Sequence, residues 1–445
     1  MTAMAEVVVV GAGPYGLSVA AHLTSLGFHP LVFGRSMESW RNGMPRGMRL
    51  KSEGFASSLS EPEGRFTLKA FCEAEKLPYA NINYPTPVET FVAYGDAFQK
   101  RFVPQLDSRL VRKIQRLSQD FALELDDGAI VRARHVIVAT GLSAFAHLPD
   151  PLQSLSPRRV THTATLADYS HFSGARVLVV GAGSSATDAA AELLREGAEV
   201  TLACRAPRLQ FYPGGSPRRW YDAAIAPMTP VGPGWRKWIV TRFPRLFGRL
   251  PERARVAIVN RTLGPAPAWF VRREIEGKID VLSGVEIIAC SETAAGVEIE
   301  LGRRKGSPTT SVFDHVVSGS GYRVDVERLS FLDAGIVKAL ALVRQAPKLS
   351  ADFESSVPGL YFVGVSAAYQ FGPLLRFVCG ADFAARRVSA AVAASGLRSR
   401  GLQAPPNASD ETLEGPARAG GRRSATPERH TTAISADQRS AGSRR

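Results

Sequence analysis

Two runs of aliphatic residues punctuate the chain, Glu6-Val-Val-Val-Val10 and Arg176-Val-Leu-Val-Val180, and neither alternates with polar residues. Unbroken β-branched runs of this length predict strands covered on both faces, as in a parallel sheet. The first leads into Gly11-Ala-Gly13-Pro-Tyr-Gly16, then apolar residues at helical spacing from Leu17 to Leu26, a stop at Gly27 and a strand from His29 to Phe33. The second repeats that order with Gly181-Ala-Gly183-Ser184-Ser185-Ala186, a helix over 187–196, Gly197, and a strand from Glu199 to Cys204. Gly11 and Gly181, Gly13 and Gly183, and Gly27 and Gly197 are each 170 residues apart. The pattern predicts two strand–turn–helix–strand units in register.

Each small residue in such a unit has its own use. Gly11 allows a tight turn, Gly13 lets a pyrophosphate approach the backbone, and Gly16 lets the helix lie close on the strand. Gly181, Gly183 and Ala186 repeat those places, with Ser184 and Ser185 in the phosphate-binding turn. Free N–H groups and the dipole at the helix start favour phosphate. One such motif is weak evidence, whereas two in matched contexts predict an α/β protein that binds two dinucleotides. The acid that usually ends the second strand and holds a ribose is missing: Gly34 and Cys204 stand there, followed by Arg35 and Arg205, with Arg208 close behind. An arginine in that place accommodates a 2′-phosphate, so the second site is expected to prefer NADPH to NADH. Arg205 has a plainer alternative, as the start of a solvated basic segment.

Charge changes the picture in one place. The 445 residues carry a net +14, of which residues 205–261 hold +10 and the tail from Arg398 to Arg445 holds +4. The tail has few large apolar residues and no period, and is expected to be disordered. The stretch 205–261 interleaves its cations with Trp220, Tyr221, Trp235, Trp238, Phe243 and Phe247. It reads as a helical excursion with solvated arginines, or alternatively as a weak anionic-membrane contact or a lid over a charged cofactor. No nucleic-acid-binding motif accompanies it. Cys72, Cys204, Cys290 and Cys379 are too far apart for a redox pair, a zinc knuckle or a disulfide framework. Glu6 stands where a signal peptide would carry cations, and the apolar stretch Val7 to Ala21 is short and broken by glycines, so a cytoplasmic protein is expected.

Beyond the two fingerprints, the chain has Ser39-Trp40-Arg41, His135-Val-Ile-Val-Ala139-Thr140-Gly141, Phe313 to Gly321-Tyr322, and Gly359-Leu-Tyr-Phe-Val-Gly364. Over about residues 5–395 these segments resemble the flavin-dependent monooxygenases of the two-dinucleotide type, the group holding flavin-containing, N-hydroxylating and Baeyer–Villiger enzymes. The resemblance implies two Rossmann-like domains, the FAD domain being discontinuous. Residues 1–158 are its first part, 159–312 the NADPH domain with a basic, aromatic-rich excursion at 205–270, 313–396 its second part, and 397–445 the tail. It further implies FAD and NADPH as cofactors, O2 and a small organic molecule as substrates, and oxygen transfer through a C4a-(hydro)peroxyflavin.

The cofactor itself carries the hard chemistry, so the candidate residues are those that bind and tune it. Gly11, Gly13, Gly16, Arg35, Trp40, Arg41, Thr140, Gly141, Gly364 and Gln370 are implied on the FAD side, and Gly181, Gly183, Ser184, Ser185, Arg205 and Arg208 on the NADPH side. Arg49, Lys51 and Ser52 follow the first unit where the chain would pass the flavin ring, and an extended backbone would put both cations on one face. Arg376 and the start of an apolar helical run over 374–394 are implied near the flavin pyrimidine. His162 stands where the family's linker motif has its histidine, although Ser156, Arg158 and Leu166 replace the motif's other residues. Two rivals remain: an NAD(P)H:acceptor flavin oxidoreductase or oxidase without oxygen insertion, and a non-enzymatic flavin-binding sensor. A disulfide reductase would need the cysteine pair that this chain lacks.

Overall fold

The computed structural model describes residues 4–212, 221–262, 266–303 and 306–399. The tail from 400 onward, and residues 213–220 and 263–265 of the excursion, lie outside the described residues. The first sheet contains β1 (Met4–Val10), β2 (Leu31–Phe33), β3 (Val111–Arg116), β4 (Phe121–Leu125) and β5 (Ile130–Val138) in the order β2-β1-β5-β4-β3. A late strand, β16 (Leu360–Phe362), pairs with β5. β1, β2, β5 and β16 are mutually parallel, while β3, β4 and β5 form an antiparallel meander. Val7, Val8 and Val9 are fully buried, as a strand covered on both faces requires. Each such side chain contributes roughly 1.5–3 kcal/mol of transfer free energy. Helix α1 (Pro14–Ser25) follows β1 and packs on α13 (Gly380–Ser399), while α2 (Glu38–Arg41), α3 (Leu68–Ala74) and α4 (Val88–Phe102) close the same core. Rings of Phe66, Phe71, Phe91, Tyr94 and Phe98 fill the space beside α4.

The second sheet is wholly parallel, with β6 (Val160–His162), β7 (Arg176–Val180), β8 (Glu199–Cys204), β9 (Asp280–Ser283) and β13 (His315–Ser318) in the order β6-β13-β7-β8-β9. One face is covered by α5 (Ser184–Arg195) and α10 (Trp269–Ile275). The other carries an antiparallel sheet, β10 (Val285–Thr293), β11 (Gly296–Arg303) and β12 (Thr309–Phe313), whose Val297, Ile299 and Leu301 pack on Leu178 and Val316. Between β13 and β16 lie α11 (Ala334–Ala339) and a two-stranded ribbon, β14 (Leu342–Val343) with β15 (Ala346–Pro347); α12 (Ala368–Phe371) follows β16.

Three expectations are corrected. Residues 313–318 were expected to open the returning FAD segment, but β13 lies between β6 and β7, with Val316 and Val317 fully buried. The chain therefore leaves the second sheet only after Ser318. The excursion was expected to belong to the NADPH domain. Instead, after the short α6 (Asp222–Ile225), its helices α7 (Trp235–Arg242), α8 (Pro244–Phe247) and α9 (Glu252–Arg261) turn inward onto α12 and the segment after it. Phe247 and Val259, each 3% exposed, join the core of the first sheet, whereas α10 joins that of the second. The helix expected from Leu374 begins only at Gly380, where an added Cβ would lie 2.4 Å from the Tyr15 hydroxyl.

Candidate functional site

Parallel pairing sets the carboxyl ends of β1, β5 and β16 side by side. The Ala139 N–H donates to the Val10 carbonyl at 2.8 Å, and the Val363 N–H to the Val138 carbonyl at 3.1 Å. Gly11, Thr140-Gly141 and Gly364, far apart in sequence, thus share one sheet edge, where ligands of open parallel sheets bind. Gly11 has φ +113°, and a Cβ there would come within 2.4 Å of the Ala139 carbonyl oxygen. A Cβ on Gly16 would lie 1.9 Å from the Gly11 oxygen. Those two glycines are demanded by the protein itself. Gly13 and Gly141 differ, since an added Cβ at either meets nothing within 4 Å. Open space over Gly13, at the N-cap of a helix with no acid in its first turn, forms a cradle that fits a pyrophosphate. Gly364 has φ +70°, a Cβ added there would lie 3.7 Å from the Tyr15 ring, and the Tyr15 hydroxyl donates to the Phe377 carbonyl at 2.8 Å.

The turn after β2 explains the missing acid. Gly34 has φ +128° and lies against the backbone of Gly11 and Ala12, a conformation that disfavours any side chain. Arg35 is exposed and lies 3.7 Å from Glu38. Asp96 of α4 accepts from Ser36 at 2.8 Å and from Arg41 at 2.6 Å, and Trp40 sets an edge against Phe91 with centroids 4.7 Å apart. Arg41 and Trp40 therefore brace this turn on α4.

The second unit reproduces the cradle. Gly181 has φ +138°, and a Cβ there would meet the Gly319 oxygen at 2.5 Å; Gly183 is open. Gly319, after β13, lies so close to Ala186 that a Cβ would fall 2.6 Å from its Cα. Ser184 is buried and 3.4 Å from Asp188, while Ser185 is half-buried. Arg205 is exposed just past β8. Arg208 lines a cleft of about 700 Å³ with Phe211, Arg272, Glu276 and Ser283. Within that cleft Glu276 grips Arg272 through two bonds of 2.6 and 2.8 Å.

Arg49, Lys51 and Ser52 do not act as one group. Arg49 is exposed and donates to the Pro85 carbonyl at 3.1 Å, and Ser52 bonds Ser57 at 2.7 Å. Lys51 reaches the second nucleotide unit. Its ammonium lies 2.9 Å from Asp188 of α5, 2.9 Å from the Arg49 carbonyl and 4.7 Å from the Phe270 ring centroid of α10. The side chains of this ion pair are 8% and 9% exposed. Burial pushes the Asp188 carboxyl up, with the Lys51 charge opposing it.

His162 ends β6 with both ring nitrogens engaged. Nδ1 accepts from the Ala164 N–H, so Nε2 carries the proton and donates to the Gly321 carbonyl, each at 3.0 Å. Burial pushes its pKa down to about 4, so the ring is neutral at pH 7. His162 staples the crossing strands. Gln370 and Arg376 face the excursion: Arg255 donates to Gln370 and to the Tyr369 carbonyl, and Arg376 donates to the carbonyls of Val259 and Thr262. Sequence reasoning missed Asp188 and Arg255. The available signals were a carboxylate among alanines in α5 and a basic run containing inward-facing apolar residues.

A family model described as pyridine nucleotide-disulphide oxidoreductase matches residues 8–220. Indole-3-pyruvate monooxygenase YUCCA1 of Oryza sativa subsp. japonica is 31% identical over 209 residues, covering 44% of this chain and 47% of that protein. The chain spans about half the length of the curated relatives it matches first. The solved ornithine N-hydroxylase of Kutzneria sp. 744 aligns at TM-score 0.70 and 15% identity, over 88% of this chain and 100% of that one. The bacillithiol disulfide reductase of Bacillus cereus aligns at TM-score 0.59 and 19% identity, over 88% and 100%. At these identities the two structures share the fold. All four cysteines here are free thiols.

Proposed function

We propose that the chain is an NADPH- and FAD-dependent monooxygenase of a small organic substrate, a reading supported by the family model matched over residues 8–220, by its 31% identity over 209 residues to an indole-3-pyruvate monooxygenase and by the fold it shares with an ornithine N-hydroxylase. When bound, FAD would supply the redox chemistry by which NADPH reduces O2 and one oxygen atom reaches the substrate. The chain's own residues bind and align. Gly11, Gly13, Gly16 and the start of α1 hold the FAD pyrophosphate, and Thr140, Gly141 and Gly364 line the flavin side of the same edge. Gly181, Gly183 and the start of α5 hold the NADPH pyrophosphate, with Arg205 and Arg208 offered to the 2′-phosphate. Lys51 fixes α5 to the segment that follows the FAD unit, and so sets where NADPH lies. The excursion, seated on residues 369–376, keeps water from that end of the site.

One observation carries this reading: two separate cradles, at Gly13 and Gly183, are each open to a ligand while their flanking glycines are closed by backbone contact. The test is anaerobic rapid mixing of the flavin-loaded protein with NADPH or NADH, followed by mixing with O2. Fast bleaching by NADPH and a transient C4a-adduct spectrum are expected. Direct reoxidation with one hydrogen peroxide per NADPH would make the protein an oxidase instead.

A further inference from the structure

Six of the seventeen large apolar side chains that stand exposed among the described residues fall between 225 and 250: Ile225, Trp235, Ile239, Phe243, Leu246 and Leu250. Ile225 is 68% exposed, Ile239 54% and Leu246 52%. The inner face of the same helices is also apolar. Val240 and Phe247 close on Gly372, where an added Cβ would meet them at 3.1 and 3.3 Å. α7 therefore turns apolar groups towards the core and, beside Arg236, sets Trp235 and Ile239 towards solvent. An ordinary surface helix is polar on its outer face, and clustered exposed apolar groups mark an interaction surface.

Charge selects the partner. Residues 221–261 hold eight lysines and arginines against Asp222 and Glu252, a net +6, and Arg255 is the one buried member of the eight. Cations lie beside the exposed rings, the Arg242 guanidinium 5.9 Å from the Phe243 centroid and the Trp235 and Trp238 rings edge to face at 5.5 Å. A second copy docking through this face would bring two basic surfaces together, which like-charge repulsion opposes. An anionic bilayer complements both features at once. Aromatic and aliphatic groups enter the headgroup boundary, while arginines reach phosphate oxygens from their flexible stems. No helix among the described residues is long and apolar enough to cross a membrane, so the contact is interfacial.

We propose that the outer face of residues 225–250 docks the protein on an anionic lipid surface. The experiment is flotation of the full-length chain with phosphatidylcholine vesicles, with and without one third phosphatidylglycerol. Binding is expected on the anionic vesicles and at least tenfold weaker on the neutral ones. Arg236→Ser, Arg249→Ser and Arg253→Ser together should weaken it roughly a hundredfold, about fivefold per cation near the surface. Trp235→Ser, Ile239→Ser and Leu246→Ser together should abolish the binding that survives high salt. Both variants are surface changes, and unaltered melting confirms that they fold. Equal binding to both vesicle types overturns the proposal. So does binding unchanged in the arginine variant, which would place the contact in the tail. A concentration-dependent dimer, lost in the Trp235 variant while lipid binding is absent, would assign the face to a second copy.

Discussion

The Lys51–Asp188 pair couples two parts of the chain through one buried contact, and Lys51→Met isolates what it contributes. Methionine keeps the stem in place but removes a charge that has a carboxylate, a carbonyl and an aromatic face as its partners. Asp188 is then left with a long contact to Ser184. Breaking a buried pair from one side costs about 3–5 kcal/mol. Unfolding entropy of about 2.1 cal/mol/K per residue over roughly 380 described residues is about 0.8 kcal/mol/K, so the melting point should fall by about 4–6 °C at neutral pH. The pH dependence follows from burial. Asp188 already sits above its ordinary value, and loss of Lys51 raises it further. A raised carboxyl binds its proton more tightly in the folded state, so the variant gains stability as pH falls through that raised value. Its deficit against the parent should be widest at neutral pH and narrow in acid. Asp188→Asn in the Lys51→Met background should recover most of the loss. Calorimetric melting of the two single variants and the double variant across acid to neutral pH decides the matter. Additive losses, or a deficit independent of pH, would refute the buried pair.

Gly13→Val should yield protein without bound flavin, whereas Gly183→Val should keep flavin absorbance and raise the NADPH KM at least tenfold; flavin loss in both would contradict two separate cradles. Arg205→Ala and Arg208→Ala should each raise the NADPH KM by roughly tenfold, the worth of a charge-assisted contact, and leave NADH nearly unchanged. Equal loss for both cofactors would remove these arginines from the 2′-phosphate. His22, His135 and His162 are each pushed down to about 4, chiefly by burial. The unfolded chain then binds more protons than the folded one between about pH 6.5 and pH 4, so stability should fall as pH drops through that window. A melting temperature flat across it would show these rings to be solvated.

The two cradles were legible because their signal is local. A buried strand, a glycine turn and a helix start occupy a dozen consecutive residues, and the repeat doubles the evidence. Lys51 was not legible as a partner of α5, because the two residues are 137 positions apart and the lysine stands in an irregular segment. α5 was legible as a helix, but no local signal shows that α10 and the segment around Lys51 cover the side that carries Asp188. The excursion misled for a related reason. Val240, Phe247 and Val259 are scattered over three short helices interrupted at Pro244 and Pro251, so no hydrophobic period builds up beneath the charge. The absent ribose acid looked like an anomaly in sequence. Its place belongs to a left-handed glycine pressed against Gly11 and Ala12.

Reaction under ¹⁸O2 tests monooxygenation most directly, with NADPH as reductant and a panel of amines, sulfides, ketones and acids as substrates. The account predicts that at least one substrate accelerates NADPH oxidation and yields a product with one labelled oxygen, the other label appearing in water. NADPH oxidation that no substrate accelerates, with all of the label recovered in hydrogen peroxide, would contradict it.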